Sequence, residues 1–181
     1  MTTAPLRKTG GAFTFSTVDA TGGTLYNKLI YYLKRGGAAC MWIAKDWQDY
    51  ELLDCGGGEK LERWDRQILV RPDPQAIWDT DRHDRRWQTA NARYSRSATG
   101  GGHWDKGRLP ESWPIRYKEL TFQVKPMNFK HTGLFPEQAA NWDFAMDTIR
   151  RAGRPIRVLN LFAYTGGATV ACAKAGASVC H

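Results

Sequence analysis

Hydrophobic and polar positions change pattern twice along the 181-residue chain. Between Leu25 and Arg35 the apolar residues recur at helical spacing and two glycines follow, which predicts a helix that ends there. The chain then continues in short alternating or apolar runs between turn residues, which is the pattern of strands. From Pro126 onward, apolar stripes at helical spacing alternate with apolar runs of strand length. The pattern predicts a flexible N-terminus over 1–24, a β-rich domain over 25–125 and a third region over 126–181.

The β-rich region contains one clear hairpin and further strands. Tyr50 to Cys55 and Glu59 to Trp64 are strand-like runs on either side of three glycines. Ile68 to Val70 is an apolar run that prolines at 72 and 74 stop, and Leu120 to Lys125 alternates strictly. Seven of the eight tryptophans lie between Trp42 and Trp113, which predicts a small domain with an aromatic core.

The region after Pro126 alternates helices with strands. Phe135-Pro136-Glu137 is typical of a helix start, because proline lacks only an N–H that would be unpaired there and glutamate suits the positive end of the dipole. The inward stripe of this helix is Gln138, Trp142, Ala145 and Ile149, and Gly153 can end it. A strand over Ile156–Phe162, a helix over Ala168–Ala175 and a strand from Ala177 to Cys180 are predicted to follow. This order predicts an α/β fold, in which a β-rich N-terminal domain precedes the start of a Rossmann-like, doubly wound sheet.

Composition and charge narrow the class of protein. With 42% hydrophobic and 12% aromatic residues, the chain is not of the disordered type, which has few aromatics. Lys and Arg number 26 against 18 Asp and Glu, so the formal charge is +8 and an anionic partner such as nucleic acid is favoured.

Neither a metal site, a disulfide scaffold nor a membrane span is predicted. The four cysteines include no pair at the spacing of a zinc or redox motif, and Cys172 and Cys180 are expected in the core. Val158 to Cys180 carries one charge, but its glycine-containing break favours a strand, a turn and a helix over a membrane helix. The first 24 residues lack the apolar run of a secretory signal, so a cytoplasmic location with reduced thiols is expected.

The strongest local signal is the run from Val158 to Ala168. A buried strand that ends in a glycine-containing turn before a helix places backbone N–H groups and the helix dipole at the carboxyl edge of a sheet, where ligands bind. The run matches neither the dinucleotide fingerprint, because position 169 is threonine, nor a phosphate-binding loop. A tight turn that binds no ligand stays an open interpretation of this run taken alone.

A second segment, Lys130 to Gln138, is expected to meet this turn. The helix that follows it, of about 17 residues, runs roughly 26 Å in one direction. The next strand, of about 7 residues, returns roughly 23 Å. Residues 130–138 and 162–167 should therefore lie at one edge of the sheet and form a cleft that Gln138 faces.

The two segments resemble motifs of class I S-adenosylmethionine-dependent methyltransferases of the large-subunit ribosomal RNA cytosine-5 type. In that family a Lys-Thr-Gly-x-Phe-x-x-Gln segment precedes a helix, and a Leu-Asn-Leu-Phe-x-Tyr-Thr-Gly-Gly turn follows the first strand. Here Lys130–Gln138, with His131 inserted, and Leu159–Gly167 correspond to them. The resemblance is specific over 126–181 and loose over 40–125. It implies S-adenosylmethionine as the cofactor, and the cofactor-binding residues that it implies are Thr132, Phe135, Gln138, Phe162, Ala163, Tyr164 and Gly166.

The chain ends before other parts of the family's site. Class I methyltransferases bind the ribose hydroxyls through an acidic residue at the end of the second strand, and a later loop carries catalytic residues. The sequence stops at His181, inside that second strand, so no catalytic residue is assigned. It is interpreted as the N-terminal portion of a longer enzyme, inactive by itself.

The stretch from Arg82 to His131 is the predicted contact with RNA. It holds eleven Lys or Arg against four acidic residues. The aromatic residues interleaved with these charges include Trp87, Tyr94, Trp104, Trp113 and Phe129. Charge combined with stacking surfaces is what single-stranded RNA binding uses, and a charged loop over core aromatics is the alternative.

Three functions are compatible with these patterns. Methyl transfer from S-adenosylmethionine, with RNA as the acceptor, is the one that the resemblance implies. A non-catalytic RNA-binding module is the main alternative, because the later catalytic motifs are absent. A nicotinamide-dependent enzyme is disfavoured by the missing third glycine.

Overall fold

The computed structural model describes residues 43–98, 100–107 and 109–181. The chain divides into two compact units: Lys45–Pro136 forms one, and Glu137–His181 together with residues 43 and 44 forms the described part of the other. The flexible start predicted over 1–24 and the helix predicted over 25–35 lie outside the described residues.

The first unit is built on a five-stranded sheet whose strands follow one another in chain order. Neighbouring strands are antiparallel except for the third and fourth, which are parallel. The strands are β1 (Tyr50–Gly56), β2 (Glu59–Trp64), β3 (Gln67–Pro72), β4 (Ala92–Arg96) and β5 (Gly102–Lys106). The predicted hairpin and the strand predicted over 68–70 are confirmed, and β3 ends at the first of the two prolines.

Two glycines make the turn between β1 and β2. Gly57 and Gly58 have φ angles of 57° and 77°, and positive φ at both central residues is what the favoured two-residue hairpin turn requires. The N–H of Gly57 donates to the carbonyl of Trp78 at 2.7 Å, and that of Gly58 to the carbonyl of Ala76 at 2.8 Å. The turn is thereby attached to the chain that follows β3.

A β-bulge interrupts the pairing of β1 with β2. Leu52 pairs with Glu62 and Asp54 with Leu61, so Leu53 is the extra residue. The side chain of Leu53 packs against the core cluster formed by Leu61, Val70 and Trp87. Within the described ranges, β1 is an edge strand of the sheet.

The parallel pair β3–β4 requires a long connection, here residues 73–91. This connection contains the short helix α1 (Arg86–Thr89), which buries Trp87. Its end is held by Asn91, whose N–H donates to the carbonyl of Ile68 at 2.8 Å and whose Oδ1 accepts the N–H of Ile68 at 2.7 Å.

A second hairpin consists of β6 (Trp113–Tyr117) and β7 (Leu120–Val124). Every second residue is buried on both strands, as the alternation over 120–125 predicts. The buried set is aromatic or branched: Trp113, Ile115, Tyr117, Leu120, Phe122 and Val124.

The 126–136 segment packs within the first unit, although the sequence pattern changes at Pro126. The N–H of Lys125 donates to the carbonyl of Thr132, and that of Met127 to the carbonyl of His131, which closes a loop. Trp47 Nε1 donates to the carbonyl of Pro136 at 2.9 Å. The compact units therefore divide after Pro136, and the domain boundary at 125–126 stays a prediction.

The second unit has the predicted order of helix, strand, helix and strand. After a 3₁₀ turn over Pro136–Gln138, its elements are α2 (Ala139–Arg151), β8 (Arg157–Leu159), α3 (Gly167–Lys174) and β9 (Ser178–Cys180). The two strands are parallel, as the strands on either side of a crossover helix are in a doubly wound sheet. One buried cluster of this unit consists of Ala145, Ile156, Val158 and Cys172.

The strand predicted over Ile156–Phe162 is shorter than expected, since only Arg157–Leu159 pairs with β9. Phe162 is 83% exposed and has a φ of 55°, which no strand residue adopts. An apolar run alone does not separate a strand from an apolar turn, and here the second half of the run belongs to the turn.

Candidate functional site

The turn from Asn160 to Gly166 connects β8 to α3. Positive φ angles occur at Phe162 (55°), Tyr164 (54°) and Gly166 (93°). Gly166 caps α3: its N–H donates to the carbonyl of Ala163 and its carbonyl accepts the N–H of Val170, both at 2.9 Å. The first N–H groups of a helix have no acceptor within it, so the positive end of the α3 dipole lies at the carboxyl end of β8.

The aromatic side chains of this turn are exposed to solvent. Phe162 and Tyr164 are both exposed, whereas Ala163 is half-buried and Gly166 buried. A Cβ at Gly166 would lie 3.5 Å from Cε1 of His181, an ordinary contact, so the feature that Gly166 supplies is its left-handed backbone. Neighbouring exposed rings beside a helix N-terminus are suited to contact a ligand.

A polar network joins the carboxyl ends of β8 and β9 to α3. Asn160 Nδ2 donates to Thr169 Oγ1 at 2.8 Å, and that oxygen lies 2.9 Å from Nδ1 of His181. The N–H of Asn160 also donates to the carbonyl of Cys180 at 2.9 Å. The network orients the start of the turn, and sequence analysis did not single it out because no spacing rule links these three polar residues.

The three remaining predicted cofactor residues divide between the two units. Thr132 is fully buried in the first unit, and within the described part of the chain its Oγ1 has no hydrogen-bond partner. Phe135 is half-buried and meets the ring of His131 edge-on at 5.6 Å. Gln138 belongs to the second unit, where its Oε1 accepts the side-chain N–H of Asn141 at 2.9 Å. Convergence of these residues on the 162–167 turn stays a prediction.

A buried ion pair supports the segment that carries Thr132 and Phe135. Glu62 on β2 is fully buried, and Arg71 on β3 donates to it through Nε at 2.5 Å and Nη2 at 2.8 Å. Burial would raise the pKa of Glu62, but Arg71 and Lys60 outweigh it and hold the pKa at about 2. Sequence analysis missed this pair, because a charged residue in a hairpin strand normally indicates the solvent face.

His131 lies beside this pair and is half-buried. Burial lowers the pKa of its imidazole, and the positive charges of Arg71 and Lys130 lower it further. Both effects favour the neutral form of the ring, which lies next to Phe135.

The prediction that the aromatic residues between Arg82 and His131 are exposed for stacking is largely wrong. Trp87, Tyr94 and Trp113 are only 3%, 4% and 6% exposed, so they belong to the core. Trp104 is half-buried, and Phe129, at 63%, is the exposed ring of the set. Strand alternation directs Tyr94 and Trp113 inward, and α1 directs Trp87 inward.

Several cations of the same stretch are engaged in ion pairs. Arg82 and Arg93 both contact Glu59, at 2.9 and 2.6 Å, and Arg86 contacts Asp84 at 2.6 Å. Arg85 and Arg96 are exposed, as is Lys125. The surface charge available to a polyanion is therefore smaller than the eleven cations of the sequence.

The thiols in the described ranges are not organised as a reactive or metal-binding group. Cys172 is buried, and burial raises its pKa. Cys180, predicted as a core thiol, is exposed, because the outer positions of β9 alternate away from Val179. The described ranges contain no group of three metal-ligating side chains. No helix in these ranges is both long and apolar enough to cross a membrane.

Solved structures provide two informative matches. A SAM-dependent methyltransferase from Agrobacterium tumefaciens is 39% identical, with a TM-score of 0.69, over 74% of this chain and 43% of that one. A putative SAM-dependent methyltransferase from Streptococcus mutans is 18% identical, with a TM-score of 0.52, over 73% of this chain and 37% of that one, and shows a similar fold. The chain thus spans less than half the length of either protein. No protein-family model and no curated protein sequence matches it.

Proposed function

The chain is a relative of the S-adenosylmethionine-dependent methyltransferases, and on that premise we propose that the whole protein transfers a methyl group from S-adenosylmethionine to RNA. The observation that carries the proposal is the 39% identity with the Agrobacterium methyltransferase, at a TM-score of 0.69. The strand–turn–helix–strand order of the second unit supports the same proposal.

The turn after β8 fits the methionine part of this cofactor. Gly166 has no side chain and a φ of 93°, and Ala163 is small, so the backbone of the turn leaves room for a ligand to come close. The exposed rings of Phe162 and Tyr164 flank the same backbone. These residues are proposed to contact S-adenosylmethionine, and Thr132, Phe135 and Gln138 stay the further cofactor contacts that the resemblance implies.

The task of the protein in this reaction is alignment. S-adenosylmethionine supplies a methyl group already activated by its sulfonium. The residues of the turn therefore bind and orient, and holding donor and acceptor in line accounts for a large share of the rate. A rigid turn, fixed by Asn160 and the cap at Gly166, serves that purpose.

The whole protein is expected to bind S-adenosylhomocysteine and not NAD, because the single turn glycine gives no cradle for a pyrophosphate. Gly166→Ala should weaken this binding about tenfold or more, since a Cβ strains the left-handed conformation by roughly 1–2 kcal/mol and displaces the turn. Isothermal titration calorimetry with both ligands measures the two effects.

Gly176→Ala is the matched control for that experiment. Gly176 follows the other end of α3 with a φ of 99°, and a Cβ there would contact nothing within 4 Å. Both variants are strained in the same way, but only Gly166→Ala should lose affinity. Binding of NAD alone, or equal losses in the two variants, would contradict the proposed site.

RNA as the acceptor is supported by the net charge and by exposed side chains in the 82–131 stretch. The chain carries a formal charge of +8, which attracts a polyanion. Arg85, Arg96 and Lys125 are exposed in the 82–131 stretch, together with the ring of Phe129. Exposed cations with an aromatic ring are the combination that binds single-stranded RNA.

Charge reversal in Arg85→Glu/Arg96→Glu should make RNA binding less dependent on salt. Each phosphate contact contributes a slope of about −0.7 to the log–log salt dependence on single strands, so losing two should flatten it by roughly 1.4. Fluorescence anisotropy with a single-stranded RNA over a range of salt concentrations measures the slope.

The control for this experiment is Arg66→Glu/Arg154→Glu, which reverses two exposed charges outside the stretch. An equal flattening in both double variants would indicate a net-charge effect rather than a binding surface. RNA binding by a whole protein that binds no S-adenosylhomocysteine would instead favour a non-catalytic RNA-binding module.

A further inference from the structure

The buried Glu62–Arg71 pair has contacts beyond its own two strands. Arg71 Nη1 donates to the carbonyl of Lys130 at 3.1 Å. Lys130 Nζ in turn donates to the carbonyl of Pro72 at 3.3 Å. Two hydrogen bonds therefore attach Lys130 to the end of β3.

Lys130 lies inside a closed loop. The loop begins where the N–H of Lys125 donates to the carbonyl of Thr132 at 3.2 Å, and the N–H of Met127 donates to that of His131 at 3.0 Å. Trp104 Nε1 also donates to the carbonyls of Met127 and Phe129. Arg71 and Trp104 together fix the backbone of the loop from β3 and β5.

We propose that Glu62 and Arg71 are positioning residues for the cofactor site, an inference that rests on the proposed function. Glu62 orients the guanidinium of Arg71, and the guanidinium holds the carbonyl of Lys130. The residues directly after Lys130 include Thr132 and Phe135, two of the residues proposed to bind S-adenosylmethionine. A displacement at Lys130 is passed to Thr132 along two peptide bonds.

The chemistry of the pair fits positioning better than stability alone. Two apolar side chains of similar volume stabilise a core as well as a buried ion pair does, because burying charges carries a large desolvation cost. The planar fork of arginine does what an apolar residue cannot, since Nε and Nη2 bond Glu62 while Nη1 bonds the Lys130 carbonyl. Tyr50 also donates to Glu62, at 2.9 Å, which fixes the carboxylate.

The test compares the whole protein with its Glu62→Gln/Arg71→Met variant. This double change removes both buried charges and the hydrogen bond from Arg71 to the carbonyl of Lys130. The amide oxygen of the new glutamine can still accept the hydroxyl of Tyr50, and no buried charge is left unpaired. Affinity for S-adenosylhomocysteine should fall about tenfold, by analogy with the loss seen when groups that orient metal ligands are removed. Amide hydrogen exchange over residues 126–134 should become faster, while the melting temperature stays near that of the parent.

A second variant and a control complete the design. Arg71→Lys keeps the charge opposite Glu62 but lacks the fork, and it is expected to fold and to bind the same ligand more weakly. Glu51→Gln/Arg63→Gln removes the exposed ion pair between β1 and β2, 3.3 Å apart, and should leave affinity unchanged.

The outcomes separate the two proposals. Full affinity in the folded Arg71 variants, with the loop exchanging faster, would overturn the positioning role and leave the proposed function intact. Failure of the unaltered protein to bind S-adenosylhomocysteine would overturn the proposed function and this inference with it.

Discussion

Arg71→Ala is expected to lower the free energy of unfolding by about 3–5 kcal/mol, because it leaves the Glu62 carboxylate buried without its main counter-charge. Lys60 Nζ lies 3.4 Å from Glu62 but is partly exposed, so it replaces only part of the interaction. Chemical denaturation of parent and variant at neutral pH measures the difference.

The pH dependence of stability gives a second measurement of the same pair. The pKa of Glu62 is about 2 in the folded protein, below its ordinary value of 4.5. A group with a depressed folded pKa contributes stability that is fully present above the unfolded pKa and is lost as the pH falls through the folded one. The parent should therefore lose roughly 3 kcal/mol of this contribution between about pH 5 and pH 2. Arg71→Ala should lose much less over that interval.

Arg63→Ala is the control, since it breaks an exposed ion pair with Glu51 on β2, the strand that carries Glu62. Exposed pairs contribute less than about 1 kcal/mol, so stability should change little. If Arg71→Ala were no more destabilising than Arg63→Ala, the pair would not act as a buried ion pair in solution.

Trp87→Ala is expected to cost about 3–5 kcal/mol of stability, the range for removing a buried aromatic side chain. Trp87 packs on Leu61 and Val70, and its Nε1 donates to Asp54 Oδ2 at 2.7 Å. The guanidinium of Arg82 stands 4.5 Å from the ring centre. The change creates a cavity and removes the donor to Asp54, so the melting temperature should fall steeply.

Phe129→Ala is the matched comparison for Trp87→Ala. Its ring is largely exposed, so stability should be nearly unchanged. If the surface binds RNA, losing this ring should cost roughly 1–3 kcal/mol of RNA affinity through lost stacking. The opposite result, in which Trp87→Ala weakens RNA binding and leaves the melting temperature unchanged, would return Trp87 to the binding surface.

Local rules of sequence were sufficient for most elements. The glycine turn at 57–58 follows from the need for positive φ, and the 120–124 strand follows from period-two alternation. The helix start at Pro136 was also located, although its first turn is 3₁₀. In each case the deciding interaction lies within a few residues along the chain.

Properties that depend on distant residues could not be read in the same way. The sequence does not reveal that Glu62 faces Arg71, because this contact depends on the register between β2 and β3. Nor does it separate Trp87, which is buried, from Phe129, which is exposed, since both stand among basic residues. The glycines predict the position of the turn after β8. The turn begins three residues before the end of the predicted strand, because pairing with β9 stops at Leu159.

Among the described residues β1 is an edge strand, and the bulge at Leu53 bears on whether another chain can pair with such an edge. A regular edge strand presents an unbroken row of N–H and C=O groups to which another chain can add. In β1 the extra residue breaks that row, and the exposed carboxylate of Glu51 stands beside the break. Both features are among those by which natural sheets prevent edge-to-edge assembly. Leu53 therefore packs against the core around Trp87 and also interrupts the edge to which a further strand could pair.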